Sequence, residues 1–332
     1  MNVNNLSYLD NLRLNQGADR LKNEFADLAA KHRAVAIRHI NNDKLLFPTL
    51  YILMPVITAY DLYDQMIPRN NIAIRICANK SRNFALAFRL GRLRPRGSEN
   101  NRAAYKWMFD TGLHWEGEPD IREGFDAAID AASALLICVH KDTSILPAVC
   151  DLVFRRYNKE LLIHDLVWGF FQSYDPVSLL LIAKYLLSDD VKDIELACRL
   201  LHLSIPETGV INNGQPLYER YLAWFNENNP YLHFTGEHFQ QTSEPNPLHL
   251  DHEAKYLAKR LAPKDGHPLD PVTPDETACL IRFRKASHED QELLSSYSAK
   301  LHRRNKGLWQ EWIGGDVSEQ VETAMAEMQV IL

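Results

Sequence analysis

Apolar positions recur at helical spacing along most of the chain, and the exceptions mark its organisation. Residues 17–40 place Leu21, Phe25, Leu28 and Ala29 on one face with Lys and Arg opposite, which predicts a first helix. Residues 44–66 form the most apolar segment and contain Pro48 and Pro55. They are expected to sit at the centre of an N-terminal core, kinked or split at the prolines. Residues 71–93 carry two periods at once. Ile72, Ile74 and Ile76 alternate with Ala73 and Arg75, and Phe84, Leu86, Phe88 and Leu90 alternate in the same way. A small β-hairpin near 71–90 fits, and so does a helix from about residue 81 to 93.

From residue 122 onward the helical pattern is cleaner. Segments 122–140, 143–157, 159–172, 175–187 and 190–203 each read as helices. Asp175-Pro176 and Asp190 supply N-caps, and Ile205-Pro206 supplies a stop. The last four form two hairpins, 143–173 and 175–204, offset by about 31 residues. This periodicity resembles HEAT-type helical hairpins, which would imply that each pair buries its face against the next. Segment 205–248 reads as a long aromatic loop around a short helix at 217–226, a kind of segment that is often functional. A helix at 251–261 follows. Pro263, Pro268, Pro271 and Pro274 then mark 263–274 as a linker, and helices follow at 275–284, 289–304 and 316–332. The expected fold is all-α, either an irregular helical bundle or a short HEAT-like array. Its parts are a region 1–120, a hairpin domain 121–262, the linker, and the helices of 275–332.

The last segment has the clearest boundary. Gly314-Gly315 break the chain, Asp316 stands at the cap, and Glu319 stands where a capping box needs it. Val317, Val321, Ala324, Met325, Met328 and Leu332 share a face, and the opposite face is acidic. The helix either closes its own core or docks on a partner.

Composition is that of a globular protein, with 46% apolar and 24% charged residues over 332 positions. The five cysteines are dispersed and contain no CxxC pair, which points to a reducing cytoplasm rather than a disulfide framework. The start lacks a secretory pattern, and the longest apolar run falls short of the roughly 20 residues of a spanning helix. A soluble, cytoplasmic protein is expected. Charge changes this picture more than composition does. Residues 69–106 hold ten Lys and Arg against Glu99 alone, so this stretch carries +9 in a chain of net −6. Such segregation marks an anionic partner surface or a dock for the protein's own acidic half, residues 110–140 being rich in Asp and Glu. Arg82, Arg89, Arg92, Arg94, Arg96 and Arg102 are the candidate binding residues. Phe84, Phe88, Tyr105 and Trp107 lie among them, a pattern that also allows nucleic acid.

Candidate chemistry is sparse. His249, Asp251, His252 and Glu253 are metal-capable, but they stand at a helix start, where Asp and Glu serve capping. The His164-Asp165 doublet, with His140 one helix earlier, resembles the metal-dependent phosphohydrolases of the HD superfamily. The resemblance implies a divalent metal held by His140, His164, Asp165 and a distant Asp, which activates water for phosphoester attack, although no distant Asp stands out in this sequence. Here the doublet is followed by Val167-Trp168-Gly169, which departs from the family's tail. No nucleophile elbow and no phosphate-binding glycine loop is present. The reading is therefore a non-catalytic scaffold, adaptor or assembly component with no cofactor and no metal. It would work through a protein partner or self-association. The alternatives are an HD-like hydrolase and a nucleic-acid or anion binder.

Overall fold

Sixteen α-helices and one two-stranded antiparallel ribbon make up the described residues of the computed structural model, so the fold is all-α. Those residues are 6–78, 97–117, 119–204, 214–239 and 241–329. The chain divides into two compact units, Met1–Ser173 and Tyr174–Leu332. The division falls inside segment 121–262 and away from the proline-rich stretch.

In the first unit Ser7 caps α1 (Tyr8–Lys31), its hydroxyl accepting from the Asp10 amide at 3.1 Å. Gly17 bends α1 at φ 85°. No atom stands within 4 Å of where its Cβ would lie, so the demand for glycine is conformational. The helix expected at 17–40 thus starts earlier and breaks before α2 (Arg33–Ile40). α3 (Phe47–Ala59) is a single helix, with Pro48 in its first turn and Pro55 in its interior. Asp10 is fully buried and joins α1 to the start of α3. It accepts from the Leu46 amide at 3.2 Å and from the Thr49 hydroxyl at 2.5 Å. Burial nevertheless pushes its carboxyl above the usual range, against these hydrogen bonds.

α4 (Pro68–Ala78) corrects the hairpin expectation over its first half. Ile72, Ala73 and Ile74 are buried in succession, and Asn70 donates to the Ile40 carbonyl at 2.7 Å. A half-buried strand would have exposed Ala73. The apparent period of two arose because alanine contrasts with isoleucine in hydropathy while occupying the same core. Residues 79–96, which hold the second half of that pattern, lie outside the described residues.

α5 (Glu99–Gly112), α6 (Pro119–Cys138), α7 (Leu146–Asn158) and α8 (His164–Phe171) complete this unit. Every residue of 128–137 is buried, which makes α6 the central helix, packed against α4, α5 and α8. Gly112 lets α5 end close to it. A Cβ there would stand 2.5 Å from Ile129 Cδ1.

In the second unit Asp175 accepts from the Val177 amide at 3.0 Å and starts a 3-10 turn, Pro176–Ser178. α9 (Leu179–Ala183), a second 3-10 turn (Lys184–Leu187) and α10 (Val191–Leu201) follow, with Asp190 accepting from the Lys192 amide at 3.0 Å. Helices form in both segments read as hairpins, and α7 touches α8 in the first unit as α9 touches α10 in the second. The expected aromatic loop is more regular than its composition suggests. It contains α11 (Gln215–Asn228) and β1 (Leu232–Phe234), which pairs antiparallel with β2 (Leu248–Leu250), His233 facing His249. Residues 205–213 lie outside the described residues.

α12 (His252–Tyr256) follows. The proline-rich stretch is tied to the unit by backbone bonds from Phe234 to Pro263, Ala262 to His267 and Leu269 to Arg260, all 2.8 to 2.9 Å. Thr273 and Glu276 form a capping box on α13 (Pro274–Phe283). α14 (His288–Arg304), α15 (Lys306–Gly314) and α16 (Val317–Gln329) enclose a core in which Tyr256 stacks on Phe283 at 4.4 Å beside Leu294, Trp309, Ile313 and Ala324. Gln320 is buried there. It accepts from the Tyr256 hydroxyl at 2.8 Å and donates to the Ile313 and Gly315 carbonyls at 3.1 Å. Asp316 caps α16 by accepting from the Ser318 amide at 2.8 Å. This helix closes its own core with Gln320 and Ala324, while Met325 is 47% exposed. No helix among the described residues is long and apolar enough to cross a membrane.

Candidate functional site

Charges in the first unit meet at a cleft between the loop after α5, the first half of α6, and the end of α7. α6 brings Arg122, Phe125, Asp126 and Ile129 to it, and α7 brings Leu152, Arg155, Arg156 and, just past its end, Lys159. The cleft is shallow and partly open to solvent. Its wall is aromatic: Trp115 stands edge-on to Phe125 at 4.3 Å, and Phe125 contacts Tyr51 and Phe47 at 5.2 and 5.1 Å.

Beneath the cleft Arg156 is buried between two carboxylates one turn apart on α6. It donates to Asp130 Oδ1 at 2.7 Å and to Asp126 Oδ1 at 3.1 Å. Burial pushes the Asp130 carboxyl up to about 7 despite Arg156, and the charge of Asp165 on α8 adds to the push. Burial raises Asp126 as well, opposed first by Arg156. At the rim, Arg155 donates to the Leu113 carbonyl and faces His114 Nδ1 at 3.2 Å. Arg122 donates to the Glu116 and Gly117 carbonyls at 3.0 and 3.2 Å, and its Nε is buried without a hydrogen-bond partner among the described residues. Lys159 pairs with the Glu116 carboxylate and holds that carboxyl below its ordinary range. The arrangement can hold an anionic group against an apolar wall.

The residues singled out in the sequence are placed as follows. Arg82, Arg89, Arg92, Arg94 and Arg96 lie outside the described residues. Arg102 stands 3.3 Å from Asp142 and 3.7 Å from Glu99. Two further cations of the basic stretch have partners inside the unit. Arg69 lies over the Trp107 ring at 4.2 Å and donates to the Asp43 and Asn42 carbonyls, and Lys106 bonds Asp110 at 3.0 Å. The acids of the following segment meet α7 as well as the basic stretch, through Arg156 and Lys159.

His140, His164 and Asp165 do not converge. His140 lies beyond the end of α6, its ring 5.8 Å from Tyr105, and burial followed by the Arg102 charge lowers its pKa. Asp165 acts on Asp130, ten residues back along the chain from His140, or about 15 Å along a helix axis. The four groups near 249–253 also diverge. Asp251 caps α12 by accepting from the Ala254 amide at 2.8 Å, and Glu253 receives both nitrogens of Arg284 at 2.7 Å. His252 bonds the Ser295 hydroxyl at 3.0 Å, and His249 faces His233 across the ribbon at 5.2 Å. No group of three or more His, Cys, Asp or Glu that could hold a metal ion forms among the described residues.

Sequence reasoning missed Arg122, Arg155, Arg156 and Lys159. A signal was present: Arg155-Arg156 close an otherwise apolar helix, and Asp126 and Asp130 share a face of an alanine-rich one. Comparison of the chain with protein-family profiles, with curated proteins and with solved structures gave no match.

Proposed function

We propose that the chain is a non-catalytic scaffold, adaptor or assembly component, and that it works by binding an acidic protein partner. The observation that carries the reading is the distribution of charge partners. Residues 79–96 contain Lys80, Arg82, Arg89, Arg92, Arg94 and Arg96 with no acidic residue among them. Five acids of the segment that follows have cations of their own: Asp110 with Lys106, Glu116 with Lys159, Asp126 and Asp130 with Arg156, and Asp142 with Arg102. A cationic segment that holds no acid of its own, and is followed by acids of which these five are already engaged, is suited to an acidic surface from outside the unit.

The test is association at two salt concentrations. Replacing Arg92, Arg94 and Arg96 together with Gln is expected to abolish recovery of a stoichiometric partner from native extract at low salt. Wild-type protein should lose the same partner at moderate salt. Equal recovery by both proteins, insensitive to salt, would overturn the reading.

A further inference from the structure

We propose that the cleft between α6 and α7 is the seat for an acidic side chain of a partner polypeptide, and that Glu116 occupies this seat in the free chain. The inference rests on the scaffold reading and names the partner's chemistry at one site. Arg122, Arg155 and Lys159 come from α6 and from the end of α7, and all of them act on the short loop 113–117. Two of these cations hold the loop by its backbone, Arg155 at Leu113 and Arg122 at Glu116 and Gly117. Lys159 holds only the Glu116 side chain. That pair is the exchangeable contact, because the two side chains are 43% and 63% exposed, and exposed ion pairs contribute little.

An entering carboxylate would find more than the ammonium that Glu116 releases. A guanidinium carries five N–H donors, and the Arg122 contacts use only Nη2, while its buried Nε has no partner among the described residues. A carboxylate that reached Nε would gain a charge-assisted bond that the free chain lacks. With Glu116 displaced, Arg122, Arg155, Arg156 and Lys159 would face Asp126 and Asp130. Four cations thus stand against two carboxylates, and burial raises both of these carboxyls toward the neutral form, so the cleft favours an incoming anion.

The apolar wall sets the second requirement. Trp115, Phe125 and Leu161 line the same space, so the acid should be flanked by a bulky apolar residue. The chain's own Trp115-Glu116 has that composition. Small anions satisfy only half of this site.

The test uses the full chain and a fluorescein-labelled peptide with Leu-Glu at the centre of Gly/Ser flanks, followed by fluorescence anisotropy. A Leu-Gln peptide and inorganic phosphate serve as controls. The Leu-Glu peptide should bind and the Leu-Gln peptide should bind at least tenfold more weakly. Glu116→Gln, which vacates the seat, should tighten the Leu-Glu complex about two- to fivefold, in keeping with the small contribution of exposed pairs. Lys159→Gln and Arg122→Gln should each weaken it about tenfold, and unchanged circular dichroism would show that these variants are folded. Equal binding of the two peptides would overturn the proposal, as would a Glu116→Gln variant that binds no tighter. Displacement of the peptide by millimolar phosphate would reassign the cleft to a small anion. If the Arg92, Arg94 and Arg96 variant loses the peptide while Lys159→Gln keeps it, the cleft proposal fails and the scaffold reading stands. If that triple variant keeps the peptide and also keeps its extract partner at all salts, the scaffold reading fails instead.

Discussion

Arg156 in the first unit and Lys255 in the second are both nearly out of solvent, their side chains 5% and 3% exposed, yet their surroundings differ. Arg156 faces two carboxylates, Asp126 and Asp130, and Asp165 adds a third negative charge nearby. Lys255 faces one carboxylate, Glu227 at 3.0 Å, and two neutral acceptors, Asn228 at 2.7 Å and the Ser296 hydroxyl at 3.0 Å. The three protons of an ammonium are thus matched by three acceptors, with Arg303 and Lys300 pressing from outside. In the first cluster the acids outnumber Arg156 itself, but Arg122, Arg155 and Lys159 add positive charge at the rim of an open cleft. The second is matched donor for acceptor. A buried charge matched in this way serves packing, whereas an imbalance beside solvent leaves charge available to a ligand.

The largest expected effect breaks the first cluster. Arg156→Ala leaves Asp126 and Asp130 without their cation, and loss of one partner of a buried pair costs about 3–5 kcal/mol. Amide exchange of α6 at pH 8 should accelerate accordingly, and retained protection would show that Arg156 is not what compensates these carboxylates.

Asp130 sharpens the comparison through pH. Its folded pKa is about 7, above the ordinary 3.8, so the folded state holds the proton more tightly than the unfolded state. The stabilisation is complete below pH about 4 and fades as pH rises to about 7, a change of a few kcal/mol. Asp130→Asn should flatten this part of the pH dependence while keeping an acceptor for Arg156. Lys255 has the opposite sign, because burial first, against the Glu227 bond, lowers its pKa from 10.5. Stability of the second unit should therefore rise as pH climbs through the folded pKa of Lys255 toward 10.5. Thermal unfolding from pH 4 to 10 separates the two slopes, and parallel curves for wild type and Asp130→Asn would refute the assignment.

A smaller effect tests the closed character of the second unit. Tyr256→Phe removes the hydroxyl that donates to Gln320 Oε1 and leaves a buried acceptor unmet, at a cost of about 1–3 kcal/mol. Exchange of α16 amides should increase while α6 is unchanged. An unaltered α16 would mean that apolar packing alone seats this helix.

How much of this was legible in the chain follows from the reach of each interaction. Asp175, Asp190, Asp251 and Asp316 act on amides two or three residues away, and each caps the element that its position announced. The helix Lys306–Gly314 was missed, although Asn305 accepts from the Gly307 and Leu308 amides at 3.1 Å. Gly307 and the Gly314-Gly315 pair obscured it, since glycine is a poor helix former. The Arg156 cluster draws on α6 and α7 with Asp165 from α8, and no spacing along the chain reveals that Asp130 meets Arg156 rather than water. His140 and Asp165 fail in the reverse sense. They are 25 residues apart, but Asp165 acts on Asp130 in the middle of α6, whereas His140 lies past the end of that helix.

The smallest expected effect compares two exposed ion pairs. Arg284 grips Glu253 with two nitrogens at 2.7 Å, whereas Lys159 meets Glu116 with a single ammonium. A bidentate guanidinium fixes its carboxylate in orientation as well as distance, which a point charge cannot do. Glu253 also sits in the first turn of α12, so its charge favours that helix end. Glu253→Gln should therefore lower the denaturation midpoint of the second unit measurably, while Glu116→Gln should leave that of the first unit within error. The absence of a stability change is what an exchangeable seat requires, because a contact that held the loop in place could not be given up to a partner. A destabilised Glu116→Gln protein would make the Lys159 pair a structural tie and erase the difference between the open and the closed unit.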